Sequence, residues 1–137
     1  MPFQDDDTIL APHKLWRRVP DSHWVYDEGL QRARPSSDAF RDDPDGDPMS
    51  VYWEAHNQPP TAAAVLAGHD NYKIAAVTAQ DVRNHALGVF QAPVDGFPSH
   101  CKVFGEKTKR NVDRKLAKAS SWVVGPTDEE VQQKRQT

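Results

Sequence analysis

Four groups of residues in this sequence have the types and spacing to do chemistry. The first is Arg32-Ala33-Arg34-Pro35-Ser36-Ser37-Asp38-Ala39-Phe40. Pro35 fixes its own φ and biases Arg34 toward an extended conformation. A guanidinium, two hydroxyls and several N–H groups can then face one anion, the donor set used to recognise phosphate or carboxylate. In the competing arrangement Ser36, Ser37 or Asp38 caps a turn or short helix and Arg34 pairs with the local aspartate cluster. Phe40 is expected to anchor the loop rather than to stack on a ligand.

The second group is Ser99-His100-Cys101-Lys102, with Gly105-Glu106-Lys107-Thr108 just beyond. His100 is the candidate general acid or base, because an unperturbed imidazole titrates near neutral pH. Gly105 to Thr108 fall between a strand and the start of a helix, where free N–H groups favour an anion and Lys102 and Lys107 add positive charge. The spacing is not that of a P-loop. Otherwise His100 is a strand-edge surface residue, Thr108 an ordinary cap, and Cys101 a small core residue. The third group is His13, Arg17 and Arg18. An arginine on a central strand needs an ionic partner, either a carboxylate such as Asp38 or a ligand; on an edge strand it is simply exposed. Together these groups define one expected pocket of Arg18, Arg34, Ser36, Ser37 and Lys107 as ligand-binding residues, with His100 as the catalytic candidate.

The fourth group, Asp43, Asp45 and Asp47 with Glu54, matches positions 1, 3, 5 and 12 of a calcium loop. Pro48 stands where that loop needs Gly, so a solvated acidic turn is expected. The histidines show no His-x3-His pair and no cysteine at ligand spacing, so no metal site is expected. No Gly-x-Ser-x-Gly elbow supports a Ser-His-Asp triad, and no cofactor motif is present. Lys102 to Lys118 hold seven Lys/Arg against Glu106 and Asp113. Aromatic residues do not interleave with them, so this reads as a solvated basic helix face and nucleic acid is not the expected partner.

These groups must be positioned by a small set of elements. His13–Val19 reads as a strand ending at Pro20, with Leu15, Arg17 and Val19 on one side and Trp16 and Arg18 on the other. Residues 20–48 carry Pro20, Gly29, Pro35, Pro44, Gly46 and Pro48 and read as a long loop with at most one short strand or turn. Met49, Val51 and Trp53 alternate with Ser50, Tyr52 and Glu54, a half-buried strand. Pro59 to Gly68 reads as a short helix, and Tyr72–Val77 as a buried strand. Thr78 and Asp81 form a capping-box start for a helix to about Ala86. Val89–Ala92 and His100–Phe104 are further strands. Thr108 is expected to cap a helix to about Trp122, with Val112, Leu116, Ala119 and Val123 as its apolar stripe. The fold class is therefore α/β or α+β: one small sheet with about three helices packed on it. A flexible acidic tail is expected at 1–12, the domain at 13–124, and a polar tail at 125–137.

The chain has 137 residues, which suits one domain at roughly 100–150 residues per core. Its apolar share, 37%, is low even with the 7 glycines counted. No apolar run is long enough to span a membrane, the acidic N-terminus is not a secretory signal, and Cys101 has no disulfide partner within the chain. A soluble, cytoplasmic protein is the expectation. The net charge of −3 conceals a gradient: −5 over residues 1–50, −2 over 51–101 and +4 over 102–137. Opposed acidic and basic ends fit a polar partner surface or solvated faces of opposite sign.

Trp16-Arg17-Arg18, the segment Arg34 to Phe40, Met49-Ser50-Val51, and His100 with Phe104-Gly105 and Lys107 resemble a family of small bacterial proteins. That resemblance spans most of residues 13–122 and implies no activity. A looser similarity is to ADP-ribosyl-transferase-like and RES-type toxin domains, which implies roles for Arg17 or Arg18, Ser50 and Glu54. The sequence thus leads to a small accessory or binding protein that recognises an anionic small ligand or a protein partner. The alternative is a small enzyme acting on a nucleotide or phosphodiester.

Overall fold

Alternation along Lys14–Pro20 (β1) puts Leu15 and Val19 on one side and Trp16 on the other, and all three are buried. A strand apolar on both faces belongs inside a sheet, and β1 is central. It pairs antiparallel with Met49–Trp53 (β4) and with Tyr72–Thr78 (β5). Trp24–Asp27 (β2) and Arg32–Pro35 (β3) form a separate two-stranded hairpin. Gly88–Gln91 (β6), His100–Phe104 (β7) and Ser121–Val124 (β8) complete a six-stranded antiparallel sheet ordered β6-β7-β4-β1-β5-β8. With the short helices Ala62–Leu66 (α1), Ala79–Arg83 (α2), Val112–Ala119 (α3) and Asp128–Arg135 (α4), this is a single α+β domain. The computed structural model describes residues 4–135.

One face of the sheet carries the main core. Leu15, Val19, Met49, Val51, Val77, Val89 and Val103 pack with Phe40 and with Leu116 of α3. The opposite face has a smaller cluster of Trp16, Tyr52, Ile74 and Ala76 beneath Val65 of α1, with Phe97 against it. Local signals set the helix starts. The Thr61 hydroxyl accepts from the Ala64 N–H. Thr78 and Asp81 complete the expected capping box, each side chain accepting from the other's backbone N–H.

Three expectations are corrected or extended. The helix read from Thr108 to Trp122 is shorter, because Arg110 and Asn111 both take left-handed φ, 59° and 57°, and α3 begins only at Val112. It ends at Ala119, since Ser121-Trp122-Val123-Val124 is β-branched and aromatic and pairs with β5 instead. The buried stripe is Val112, Leu116 and Ala117, and Val123 is exposed. The region 20–48 holds the β2–β3 hairpin and 3-10 turns at Asp21–His23 and Ser37–Phe40. Buried residues extend outside 13–124. Ile9 and Val131 are both fully buried, Asp5 pairs with Arg83, and the Asp6 N–H donates to the Val89 carbonyl. Residues 1–3 and 136–137 of the expected tails lie outside the described residues.

Candidate functional site

The face opposite the main core is covered at one end only. α1 and the turn carrying Phe97 close it over β1, β5 and Tyr52. Toward β4, β7 and β6 it stays partly open, and Ser50, Phe90 and Lys102 are half-buried there. Register fixes their order. Lys102 lies opposite Phe90 on one side and opposite Ser50 on the other. Trp16 lies opposite Tyr52, where the paired register of β1 and β4 ends; the Ser50 carbonyl beyond it accepts from Arg17 Nη1 instead, and alternation keeps Arg18 on the same face as Trp16. A row of Phe90, Lys102 and Ser50 thus crosses three adjacent strands, at about 4.8 Å per strand, and Arg18 stands on the same face of the next strand, β1.

The neighbouring row holds His100 and Tyr52, which are also in register. The His100 ring meets Tyr52 edge-on at 5.4 Å, and the Arg18 guanidinium lies 5.7 Å from the Tyr52 centroid. Arg18 is held from the α1 side, where Nη1 donates to the Val65 carbonyl at 3.3 Å and to His69 Nε2 at 2.5 Å. A guanidinium only donates, so His69 Nε2 accepts. His100 Nδ1 is 2.7 Å from the Ala92 carbonyl. A carbonyl only accepts, so Nδ1 carries the proton, and Nε2 of the neutral ring has a free lone pair. Burial pushes His100 below the ordinary imidazole value; Lys102 and Arg18 push the same way, against the Ala92 hydrogen bond. Among the described residues neither Arg18 nor Lys102 has a carboxylate within ion-pair distance.

The structure does not gather the six residues expected to form one pocket. Arg18 and a buried His100 lie on the face opposite the main core, while the other four lie elsewhere. Arg34 donates to Asp27 at 2.6 Å and to the Pro35 carbonyl at 2.7 Å, within the β2–β3 hairpin. That bond, first, and the Leu30 N–H hold the Asp27 carboxyl below its usual range. The Ser36 N–H donates to the His23 carbonyl, and Ser37 opens the 3-10 turn that buries Phe40. Arg34 is thus paired, with Asp27 of the hairpin rather than the aspartate cluster, while the Ser36 hydroxyl is buried without a capping bond. Lys107 is buried, with Nζ 2.6 Å from Asp42 and 2.8 Å from the Gly105 carbonyl. At the expected strand-to-helix anion site the chain supplies its own anion. Glu106 accepts from the N–H and hydroxyl of Thr108, which lower its pKa, and Thr108 caps no helix.

Arg17 faces the main core, one residue from Arg18 and on the other side of the sheet. Its guanidinium donates to the carbonyls of Ala39, Ser50 and Arg41 at 2.9, 2.9 and 3.3 Å. Burial lowers its pKa, opposed by Asp43. The carboxylates of Asp43, Asp45 and Asp47 approach within 4.8 Å of one another in an exposed turn, while Glu54 accepts from the Trp16 indole at 2.7 Å. Of the roles implied by the toxin-domain similarity, Arg18 and Ser50 share the open face and Glu54 is engaged with Trp16. No described helix is long and apolar enough to cross a membrane.

Compared with protein-family models, curated proteins and solved structures, the chain matches none of them. The functional reading therefore rests on the residues of the open face. Three of these, Ser50, Lys102 and Phe90, lay outside the six expected for the pocket. Their signal was the two-residue period of β4, β6 and β7, which became a site only once the strand order was known.

Proposed function

We propose that this protein binds a small anionic ligand on the open face of its sheet. Arg18 and Lys102 supply the charge, the Ser50 hydroxyl the floor, and His100 a flanking imidazole. The observation that carries this reading is that Lys102 and Ser50, in register, share one face of the sheet with Arg18 of the next strand, without a carboxylate paired to either cation among the described residues. Two cations on one face beside a small residue can meet a phosphate or carboxylate. Charge-assisted hydrogen bonds are the strong ones in such a site. The test is titration with inorganic phosphate. Lys102→Ala should weaken binding about tenfold, and Ser50→Leu, which fills the space beside the cations, should abolish it with the fold intact. Unchanged phosphate affinity in both variants overturns the reading.

A second reading, proton transfer by His100 on a bound nucleotide or phosphodiester, has one observation in its favour. Nδ1 is anchored on the Ala92 carbonyl and burial favours the neutral ring, so Nε2 is held as a base beside the two cations. Turnover of such a substrate that His100→Gln removes while binding survives would support it.

A further inference from the structure

We infer that the anion carries a planar ring and that the ligand is a nucleoside monophosphate, its phosphate over Ser50 and its base on Phe90. The inference rests on the binding reading above and adds the ligand's class to it. The shape of the open face supplies the argument. A phosphate between Arg18 and Lys102 cannot extend toward β5, because α1 and Phe97 cover Tyr52, Trp16 and Ile74 there. On the far side of the row the N-terminal segment crosses β6, so closely that a methyl group on Gly88 would collide with the Gln4 carbonyl. Along the row itself, the next side chain past Lys102 is Phe90.

Phe90 stands one strand beyond Lys102, in direct register and half-buried. From Ser50 to Phe90 is two strand spacings, about 10 Å, comparable to the reach from phosphate to base in a nucleotide. A half-exposed phenyl ring at that end offers a stacking surface, while Lys102 lies beneath the linking sugar. Base–aromatic stacking is indifferent to which base is present, so the site discriminates for a ring rather than for a particular base. A sugar phosphate or a dicarboxylate would satisfy the cations and leave Phe90 unused.

The test compares three probes on the full chain: inorganic phosphate, ribose 5-phosphate and adenosine 5′-monophosphate. The expected order places the nucleotide about tenfold tighter than ribose 5-phosphate. Phe90→Ala should erase that difference and leave both non-aromatic probes unchanged, while Phe90→Trp should keep or widen it. Equal affinity for nucleotide and sugar phosphate in the native chain, or a preference that survives Phe90→Ala, overturns the inference and leaves anion binding standing. If none of the three binds, the binding reading falls and this one with it.

Discussion

The two faces of one sheet use cations in opposite ways. On the core face Arg17 sits beneath the polar segment that follows β3 and donates to three of its surrounding carbonyls. Arg41 bridges Asp38 and Asp113, Lys107 pairs with Asp42, and Arg34 pairs with Asp27 in the hairpin. Each of these cations fastens a loop or hairpin whose composition is too polar to be held by apolar burial alone. On the open face Arg18 is steadied by a carbonyl and an imidazole, and Lys102 has no pairing partner among the described residues. The difference separates cations paired with carboxylates or held among core carbonyls from cations with no carboxylate partner among the described residues. It also explains how a chain of mild net charge can present a positive site.

The sharpest way to break this contrast is to remove the same side chain on each face. Arg17→Met should cost about 3–5 kcal/mol, because it strands carbonyls that have no other donor. Arg18→Met, one residue along, should cost about 1 kcal/mol or less and abolish phosphate binding. Chemical denaturation of both variants reads the stabilities, and equal losses would erase the distinction. Lys107→Met should come next, at about 1–3 kcal/mol, with phosphate affinity unchanged. A variant that binds phosphate poorly but folds normally would move Lys107 into the site.

His100 sharpens the contrast through pH. Its folded pKa is depressed, chiefly by burial, so below the ordinary value near ~6.5 the unfolded chain binds more protons than the folded one. Its contribution to stability is therefore present above that value. It declines as pH falls toward the folded-state pKa, and His100→Gln should flatten this part of the profile. A bound anion acts in the opposite sense, favouring the imidazolium, so sulfate, which unlike phosphate keeps a fixed charge there, should bind more tightly as pH falls through the same range. Arg18, Lys102 and Tyr52 face this ring. A pH-independent affinity would place His100 away from the ligand. The smallest effect belongs to Cys101 on the core face. Burial pushes its thiol up to about 12, so alkylation should be slow in the native protein and become fast on unfolding.

Much of this was legible wherever the deciding contacts are local. The Thr78–Asp81 box lies within one helical turn, and alternation alone divided Arg17 from Arg18. The overlong helix arose because Val123 continues an i, i+4 pattern that the β-tendency of Ser121–Val124 and an open place beside β5 override. Lys107 was misplaced for a different reason, since Asp42 is remote in sequence and no spacing rule joins them. The Arg-Pro-Ser-Ser segment read equally well as a site or as a turn, and the partner that Arg34 takes, Asp27 across the hairpin, lies outside the aspartate cluster the sequence offered. The row on the open face depends on strand order and register, both set by contacts between distant segments. Its members were visible as residues but not as neighbours.

The central claim is that the open face, rather than the polar segment around Arg34, receives the anion. Mapping backbone amide shifts during a phosphate titration of the native chain tests it directly. The account predicts changes centred on Arg18, Ser50, His100 and Lys102 that saturate together, with Arg34, Ser36, Ser37 and Lys107 still. Saturating changes centred on Arg34 to Ser37, or none on β4 and β7, would contradict it.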